Sequence, residues 1–401
     1  MEKNVYSSEI ERDIRSAVEN FEIVLREQVA RTQRMRAERE EKDVANKTGD
    51  LAPNSNRDKV IIGTAAGDGI GPIIMAEAER VLKAVLRDRL ASGSLVLKPI
   101  EGFTLENRLA AGKTVPDSVM AAMSECDVLL KGPTTTPNAA MNTANIESAN
   151  VYLRKSFDLF ANVRPVAIPE EGIDWTFFRE NTEGEYALGS NGEYIMGELA
   201  VDFKVTTDEG TERIARAAYE YARANGKKRV SIVTKANIMK KTDGNFLNIC
   251  REVAKEYLEI ETDSWFIDIM AANLVNKNIR NNFQVFVLPN LYGDIITDEA
   301  AQIQGGVGTA GSANIGRNYA IFEAIHGSAP RMIEDGLGEY ANPSSLLKAA
   351  VMMLSHVGYR NESKRLEDAL EAADKELGPR MTGMAGGATC REYAELVISR
   401  L

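Results

Sequence analysis

The chain has 401 residues, 44% of them hydrophobic and 27% charged, which is enough for two ordinary domains with their own cores. A formal net charge of −11 argues against sequence-independent binding to nucleic acid or an anionic membrane, so an anionic ligand would have to be met by a local cluster of arginine or lysine. Three scattered cysteines, Cys126, Cys250 and Cys390, indicate neither a disulfide framework nor a zinc knuckle and suit a reducing cytoplasm, and no run approaches the ~20 apolar residues of a membrane span.

Residues 1–57 read as a helical arm and linker. Ile10, Ile14, Val18, Phe21, Leu25 and Val29 recur at helical spacing in a charged background, and a polar, proline-containing stretch from Asn46 to Arg57 follows. Such a stripe needs cover, from a partner subunit or from the chain's own body. From Lys59 short apolar, β-branched runs alternate with helical periods: Val60 to Thr64, then Pro72 to Leu86; Val128 to Lys131; Val230 to Thr234, then Asp243 to Tyr257; and Val285 to Leu288. That alternation predicts an α/β fold. The segment GDGIGP, from Gly67 to Pro72, sits where a dinucleotide fingerprint would. Its third glycine comes one residue early, and no acidic residue closes a second strand about 20 positions on, so it reads as a tight structural turn.

Asp294 and Asp298, in LPNLYGDIITDEAAQIQGG, place two carboxylates four residues apart where a strand, punctuated by Pro289 and Gly293, gives way to a helix expected from Ile295 onward. Positions i and i+4 share a helix face, and two hard oxygen ligands there suit Mg²⁺ or Mn²⁺ with coordination sites left for a chelating substrate. Taken alone, the pair reads better as a solvated helix start. Asp268, in WFIDIMAANLV, offers a third carboxylate. Arg154, Arg164 and Arg179 would suit a di- or tricarboxylate if they converge, because each guanidinium presents a planar fork to a carboxylate. Tyr186 and Lys235 could exchange protons with a substrate beside a cation. Toward the C-terminus, GGVGTAGSANIG and His326-Gly327-Ser328-Ala329-Pro330 supply small residues that admit a phosphate or an adenine. With only His326 and His356 available, a histidine-built zinc site is not expected, and His356 reads as structural.

From about Lys59 to the C-terminus the chain resembles the β-decarboxylating dehydrogenases, the family of isocitrate, 3-isopropylmalate and homoisocitrate dehydrogenases. The strings that carry the resemblance are GDGIGP, LLKGPTTTP, LRKSFDLFANVRPV, RENTEGEYALG, KANIMKKTDG, PNLYGDIITDEAAQIQGG, GSANIG, HGSAP and ANPSSLL. It implies a two-domain α/β fold unlike the ordinary Rossmann fold: residues 58–160 plus 305–401 as a large domain on the cofactor side, and 161–304 as a small domain carrying a dimer interface. It further implies a homodimer or higher homo-oligomer with shared active sites. Arg154, Arg164 and Arg179 would bind substrate carboxylates. Asp294 and Asp298 would bind the cation together with Asp268 of a second subunit, and Tyr186 with a second subunit's Lys235 would form the acid–base pair. The loop from His326 to Pro330, with Arg331 and Asn342, would hold the nicotinamide cofactor.

The activity implied is metal-dependent oxidative decarboxylation of a 2-hydroxy-3-carboxy acid. Ser148 and Asn150 resemble the pair with which isocitrate enzymes meet a third carboxylate, and RENTEGEY and KANIM are similar to the NAD-linked isocitrate type. Glu147 matches isopropylmalate enzymes instead, and a carboxylate there would repel a trianion unless it turns away or pairs with a cation. The expectation is therefore isocitrate to 2-oxoglutarate, with 3-isopropylmalate, homoisocitrate and tartrate as alternatives. Arg331-Met332 matches neither the aspartate that NAD-linked members usually place after HGSAP nor the lysine and tyrosine of many NADP-linked members; Glu334, Asp335 and Glu339 nearby would oppose a 2′-phosphate, so NAD is expected and NADP is the alternative. A non-catalytic, regulatory role in a hetero-oligomer is the reading from a different class.

Overall fold

The computed structural model describes residues 8–43, 59–137, 146–188, 191–306, 310–381 and 383–401. The linker read at 46–57, residues 138–145 of the loop before Glu147, and 307–309 of the glycine-rich loop lie outside the described residues.

The strands, in chain order, are β1 (Val60–Ala65), β2 (Leu95–Pro99), β3 (Val128–Lys131), β4 (Ala161–Ile168), β5 (Ile173–Glu180), β6 (Glu193–Ile195), β7 (Leu199–Val201), β8 (Arg229–Thr234), β9 (Glu261–Phe266), β10 (Val285–Leu288), β11 (Gly311–Ile315) and β12 (Ala320–Ala324). Ten of them form one sheet in the order β2-β1-β3-β12-β11-β4-β5-β10-β8-β9, and β6 pairs with β7 in a separate ribbon. The half from β2 to β11 comes from both ends of the chain. The half from β4 to β9 comes from its middle. Pairing is parallel in each flank and antiparallel only across β12-β11-β4-β5, at the join.

The helices are α1 (Ser8–Asp43), α2 (Gly71–Val85), α3 (Arg87–Ala91), α4 (Leu105–Ala111), α5 (Asp117–Ser124), α6 (Ala149–Ser156), α7 (Asp208–Ala224), α8 (Thr242–Ala254), α9 (Ile267–Val275), α10 (Asn290–Gln304), α11 (Pro330–Glu334), α12 (Ser344–His356), α13 (Arg360–Leu377) and α14 (Cys390–Arg400). They cover both faces of the sheet, which is why its inner parallel strands β3 and β10 are buried throughout instead of alternating, while the edge strand β9 is polar. Every residue of β10 is buried: Val285 and Val287 cluster with α7 and α8, Phe286 and Leu288 with α9 and α10. Phe177 and Phe286 stack at 4.3 Å, with Trp175 edge-on to both. Among the described residues no helix is long and apolar enough to cross a membrane.

Helix α10 begins at Asn290, directly after Pro289, five residues before the expected start at Ile295. Gly293 does not punctuate the chain here. A Cβ at that position would lie 2.5 Å from Arg179 Cγ, so glycine serves to let the Arg179 stem pass against the helix. The GDGIGP segment is a turn locked by neighbouring backbone: Gly67 and Gly69 have φ of 74° and 59°, Asp68 N–H donates to Pro133 O at 2.8 Å, and Ile70 N–H donates to Ser328 O at 3.0 Å. The Asp68 carboxylate accepts from Leu105 N–H and Thr135 N–H at 2.7 and 2.8 Å.

The arm α1 packs on its own chain, but not through the stripe expected. Val18, Leu25 and Val29 are 56, 61 and 58% exposed, while Ala17 and Val24 are buried. Phe21 meets Phe203 edge-on at 4.9 Å, and Asn20 Nδ2 donates to Glu193 Oε1 at 2.7 Å. The covered face mixes one small, one polar and several apolar side chains, so hydrophobic spacing alone selected neighbouring positions that face outward.

Gly69→Ala is expected to destabilise the fold by about 2 kcal/mol, since its Cβ would meet Ser328 O at 2.0 Å on a left-handed backbone. Urea unfolding measures this, and an unchanged midpoint would show that the turn yields freely.

Candidate active site

Strand register assembles the site. β4 and β5 run antiparallel with Asn162 opposite Arg179, and Leu288 at the end of β10 flanks Arg179 on its other side. Arg179 therefore lies where α10 begins. Its Nε and Nη2 donate to Asn290 Oδ1 at 3.0 and 2.7 Å, and its Nη1 donates to Asp294 Oδ1. Arg164, on β4, donates through Nη1 to Thr297 Oγ1 at 2.6 Å and Asp298 Oδ1 at 2.9 Å, and its Nη2 lies 3.5 Å from Asp294 Oδ1. The Tyr186 hydroxyl donates to Asp294 Oδ2 at 2.6 Å. From the last turn of α6, Arg154 Nη2 stands 3.5 Å from Glu323 Oε1.

These groups surround a cavity of about 280 Å³ at the join between the two halves of the sheet. Of the residues expected in a site, Ser148, Asn150, Arg154, Arg164, Tyr186, Asp294, Asp298, His326 and Gly327 line it. Ser148 precedes α6 without spending its hydroxyl on a helix cap. Asn150 Oδ1 accepts from Thr134 Oγ1 at 3.1 Å.

Other expected residues stand elsewhere. Arg179 lies behind the wall, under Asp294, and does not line the cavity. Lys235 and Asp268 are also outside it, paired with each other at 2.6 Å, with the Asp268 side chain 61% exposed. Among the described residues no group of three or more acidic, histidine or cysteine side chains is placed to hold a metal. Ser328, Ala329, Pro330, Arg331 and Asn342 lie beyond the cavity wall. Ser328 Oγ bonds Thr135 Oγ1 at 2.7 Å, Ala329 adopts φ 45° before α11, and Asn342 Oδ1 accepts from Ser344 N–H at 2.9 Å.

Glu147 turns away from the cavity. Its carboxylate pairs with Lys155 Nζ at 2.9 Å and does not line the cavity, whereas Ser148 and Asn150 do.

Burial pushes the Arg179 guanidinium down to about 9, with Arg154 acting in the same direction. Burial also pushes the Asp294 carboxyl up, but Arg179, the Tyr186 hydroxyl and the other two arginines outweigh it and hold Asp294 below the usual carboxylate range. The Tyr186 phenol is raised by burial and by its bond to Asp294. Lys131 and Glu323, for which the sequence motifs suggested no role, form a buried pair at 2.8 Å on the cavity wall. Asn314 Nδ2 donates to the same carboxylate at 2.7 Å. A lysine closing the run VLLK and a glutamate inside IFEA were the available signal: a charge within a fully buried strand requires a partner.

The sheet, with a cavity lined by arginines and carboxylates at its join, defines a mixed α/β protein. The chain belongs to the isocitrate/isopropylmalate dehydrogenase family, whose model matches residues 61–397. It is similar to the mitochondrial NAD isocitrate dehydrogenase subunit 2 of Schizosaccharomyces pombe, 38% identical over 84% of this chain and 86% of that one. It is also 38% identical to a regulatory chain of the mitochondrial NAD isocitrate dehydrogenase of Dictyostelium discoideum, over 84% and 90% of the two chains. The crystal structure of isocitrate dehydrogenase from Methylococcus capsulatus superimposes with a TM-score of 0.74 at 34% identity, covering 85% of this chain and 99% of that one. Helix α1 lies before the matched residues.

Acid should unfold the protein partly through this wall. Burial raises Glu323, but Lys131 and Arg154 pull it down to about 2, below its ordinary 4.5, so its stabilisation is present above about pH 4.5 and is lost as pH falls toward 2. Glu323→Gln, which leaves Lys131 buried and unpaired, is expected to cost about 3 kcal/mol at pH 7 and to flatten the stability decline below pH 4.5. Urea titrations across pH check both; a variant that keeps the wild-type acid slope would remove Glu323 from this role.

Proposed function

We propose that the chain is a catalytic subunit that oxidises and decarboxylates isocitrate to 2-oxoglutarate, passing hydride to NAD, with NADP the alternative acceptor. The observation that carries this reading is the convergence of Arg154, Arg164, Tyr186, Asp294 and Asp298, with Ser148 and Asn150, on one cavity. Glu147, turned onto Lys155, leaves the serine–asparagine position open to a third carboxylate, which supports isocitrate over 3-isopropylmalate, homoisocitrate or tartrate.

The two aspartates fit a divalent cation. They are hard oxygen donors on one helix face, and the Asp298 side chain is 57% exposed. Bound there, Mg²⁺ or Mn²⁺ would polarise the 2-hydroxyl and stabilise negative charge on the oxygens of the acid. Arg154 and Arg164 hold and orient the substrate carboxylates, and Arg179 fixes Asp294 from behind. Lys235 of a second subunit accepts the proton of the 2-hydroxyl, and bound NAD would supply the acceptor for the hydride that leaves C2. Loss of CO₂ from the resulting β-keto acid leaves an enolate, and Tyr186 protonates its C3. The pairing of Lys235 with Asp268 away from this chain's own cavity supports an oligomer in which one subunit lends both residues to another, proposed here as a dimer or higher homo-oligomer. His326 and Gly327 open the segment, continuing through Ser328, Ala329, Pro330, Arg331 and Asn342, that would carry the cofactor.

A regulatory, non-catalytic role is the second reading, favoured by the similarity to the Dictyostelium regulatory chain. Against it stands the full set of acid, base, arginine and carboxylate side chains. The cytoplasm is the location proposed from the thiols, all three of which are buried and unpaired by disulfide; the relatives named above are mitochondrial.

The decisive experiment offers isocitrate, 3-isopropylmalate, homoisocitrate and tartrate with NAD or NADP and Mg²⁺ or Mn²⁺, following absorbance of the reduced nicotinamide. Isocitrate with NAD is expected to give the highest kcat/KM, and no reduction in any combination would leave the regulatory reading. Lys235→Met is expected to lower kcat by about 10²-fold or more with cofactor affinity unchanged, measured by steady-state kinetics and cofactor titration. Near-normal turnover would remove Lys235 from the mechanism.

A further inference from the structure

The segment from Asn181 to Leu188 carries Tyr186 and is held from two sides. On the cavity side, Asn290 Nδ2 donates to Glu183 O at 2.9 Å, and the same Asn290 accepts from Arg179 through Oδ1. On the far side, the Glu183 carboxylate is buried, its side chain 2% exposed. It accepts from Thr207 N–H at 2.7 Å and Thr207 Oγ1 at 2.6 Å, at the start of α7. Its remaining partner comes from outside the family match: Arg31 Nη1, on α1, donates to Glu183 Oε1 at 2.9 Å.

Arg31 brings a second cation to the charge gathered there. Glu180 and Glu183 are both buried, and Glu180 accepts from Thr182 N–H at 2.9 Å and Glu183 N–H at 2.7 Å, so the two carboxylates share one short stretch of chain. Burial and the neighbouring Glu183 charge push Glu180 up. Arg213 supplies one cation, reaching Thr182 Oγ1 at 2.8 Å, but its Nη1 is committed to Asp158 at 2.8 Å. Arg31 supplies the second. Two buried carboxylates with one shared arginine would leave uncompensated charge in the loop that carries the phenol.

We propose that Arg31 is a positioning residue for Tyr186: through Glu183 the N-terminal helix orders the 181–188 segment and thereby sets the phenol on Asp294. Its consequence for catalysis rests on the reading of Tyr186 as the C3 proton donor; its consequence for the loop does not.

The test compares full-length wild type with Arg31→Gln, Arg31→Lys and, as a control on the same helix, Arg34→Gln, whose parent side chain is exposed. Backbone amide hydrogen exchange of residues 182–184 reads the loop directly and needs no substrate. Arg31→Gln is expected to accelerate it about tenfold, with Arg31→Lys restoring most of the protection and Arg34→Gln matching wild type. Thermal melting of each variant separates this from global unfolding. With isocitrate, the same variant is expected to lower kcat about tenfold with KM changed less than twofold. It should slow deuterium incorporation at C3 of 2-oxoglutarate, the partial reaction that belongs to Tyr186, to the same degree. Unchanged amide exchange in Arg31→Gln overturns the proposal. So does faster exchange with full kcat and full C3 exchange, because the order of the loop would then be immaterial to Tyr186. Wild type inactive on every acid defeats the proposed function instead, and the amide data still decide whether Arg31 holds the loop.

Discussion

Three guanidiniums share one small volume, and the rest of the site follows from keeping them there. Arg154 and Arg164 each make it harder for buried Arg179 to stay charged. In a medium of low dielectric such repulsion would scatter them unless carboxylates stood between. Asp294 meets Arg164 and Arg179, Asp298 meets Arg164, and Glu323 meets both Arg154 and Lys131. Four cations against three anions leave a local positive excess inside a chain of net charge −11. Under the proposed function a divalent cation raises that excess to about three charges, which a tricarboxylate balances.

The antiparallel centre of the sheet is what allows these charges to meet. Asn162 Nδ2 donates to Ser312 Oγ and Asn314 Oδ1 at 2.8 and 2.9 Å, Asn181 Nδ2 donates to the same Asn314 oxygen at 3.0 Å, and Asn314 passes its own amide to Glu323. This buried polar chain crosses β4, β11 and β12 and ends on Lys131 of β3. Because strand side chains alternate, a one-residue slip of β4 would turn Arg164 away from α10. An amide network with fixed partners specifies register where apolar strands of similar composition would not.

The α/β alternation was legible because parallel strands covered on both faces read as short apolar runs between helical periods. The cavity residues were legible because arginine, aspartate and tyrosine occur in motif strings. Two kinds of feature were not. The start of α10 was displaced because Gly293 reads as a breaker, while its actual use, clearance for the Arg179 stem, depends on a residue more than a hundred positions away in sequence. The packed face of α1 was misplaced because Ala17 and Asn20 contribute closeness and hydrogen bonds, and periodicity measures neither. Lys131 and Glu323 lay between these cases: their burial was readable, but the identity of their partners was not.

Burial ranks which contacts a ligand can take over. Arg179 is 1% exposed and anchored on Asn290 as well as Asp294, so displacing it would strand a guanidinium in the interior. Asp298 and Asp268 are 57 and 61% exposed, and ion pairs at that exposure are worth little because water screens them. A cation or a substrate carboxylate can therefore replace Arg164 on Asp298, or Lys235 on Asp268, at small cost, while Arg179 keeps Asp294 in place. Under the proposed function, the carboxylates that exchange partners during the reaction are the exposed ones, Asp298 and the Asp268 that a second subunit would supply. The buried arginine beneath them serves as the fixed reference.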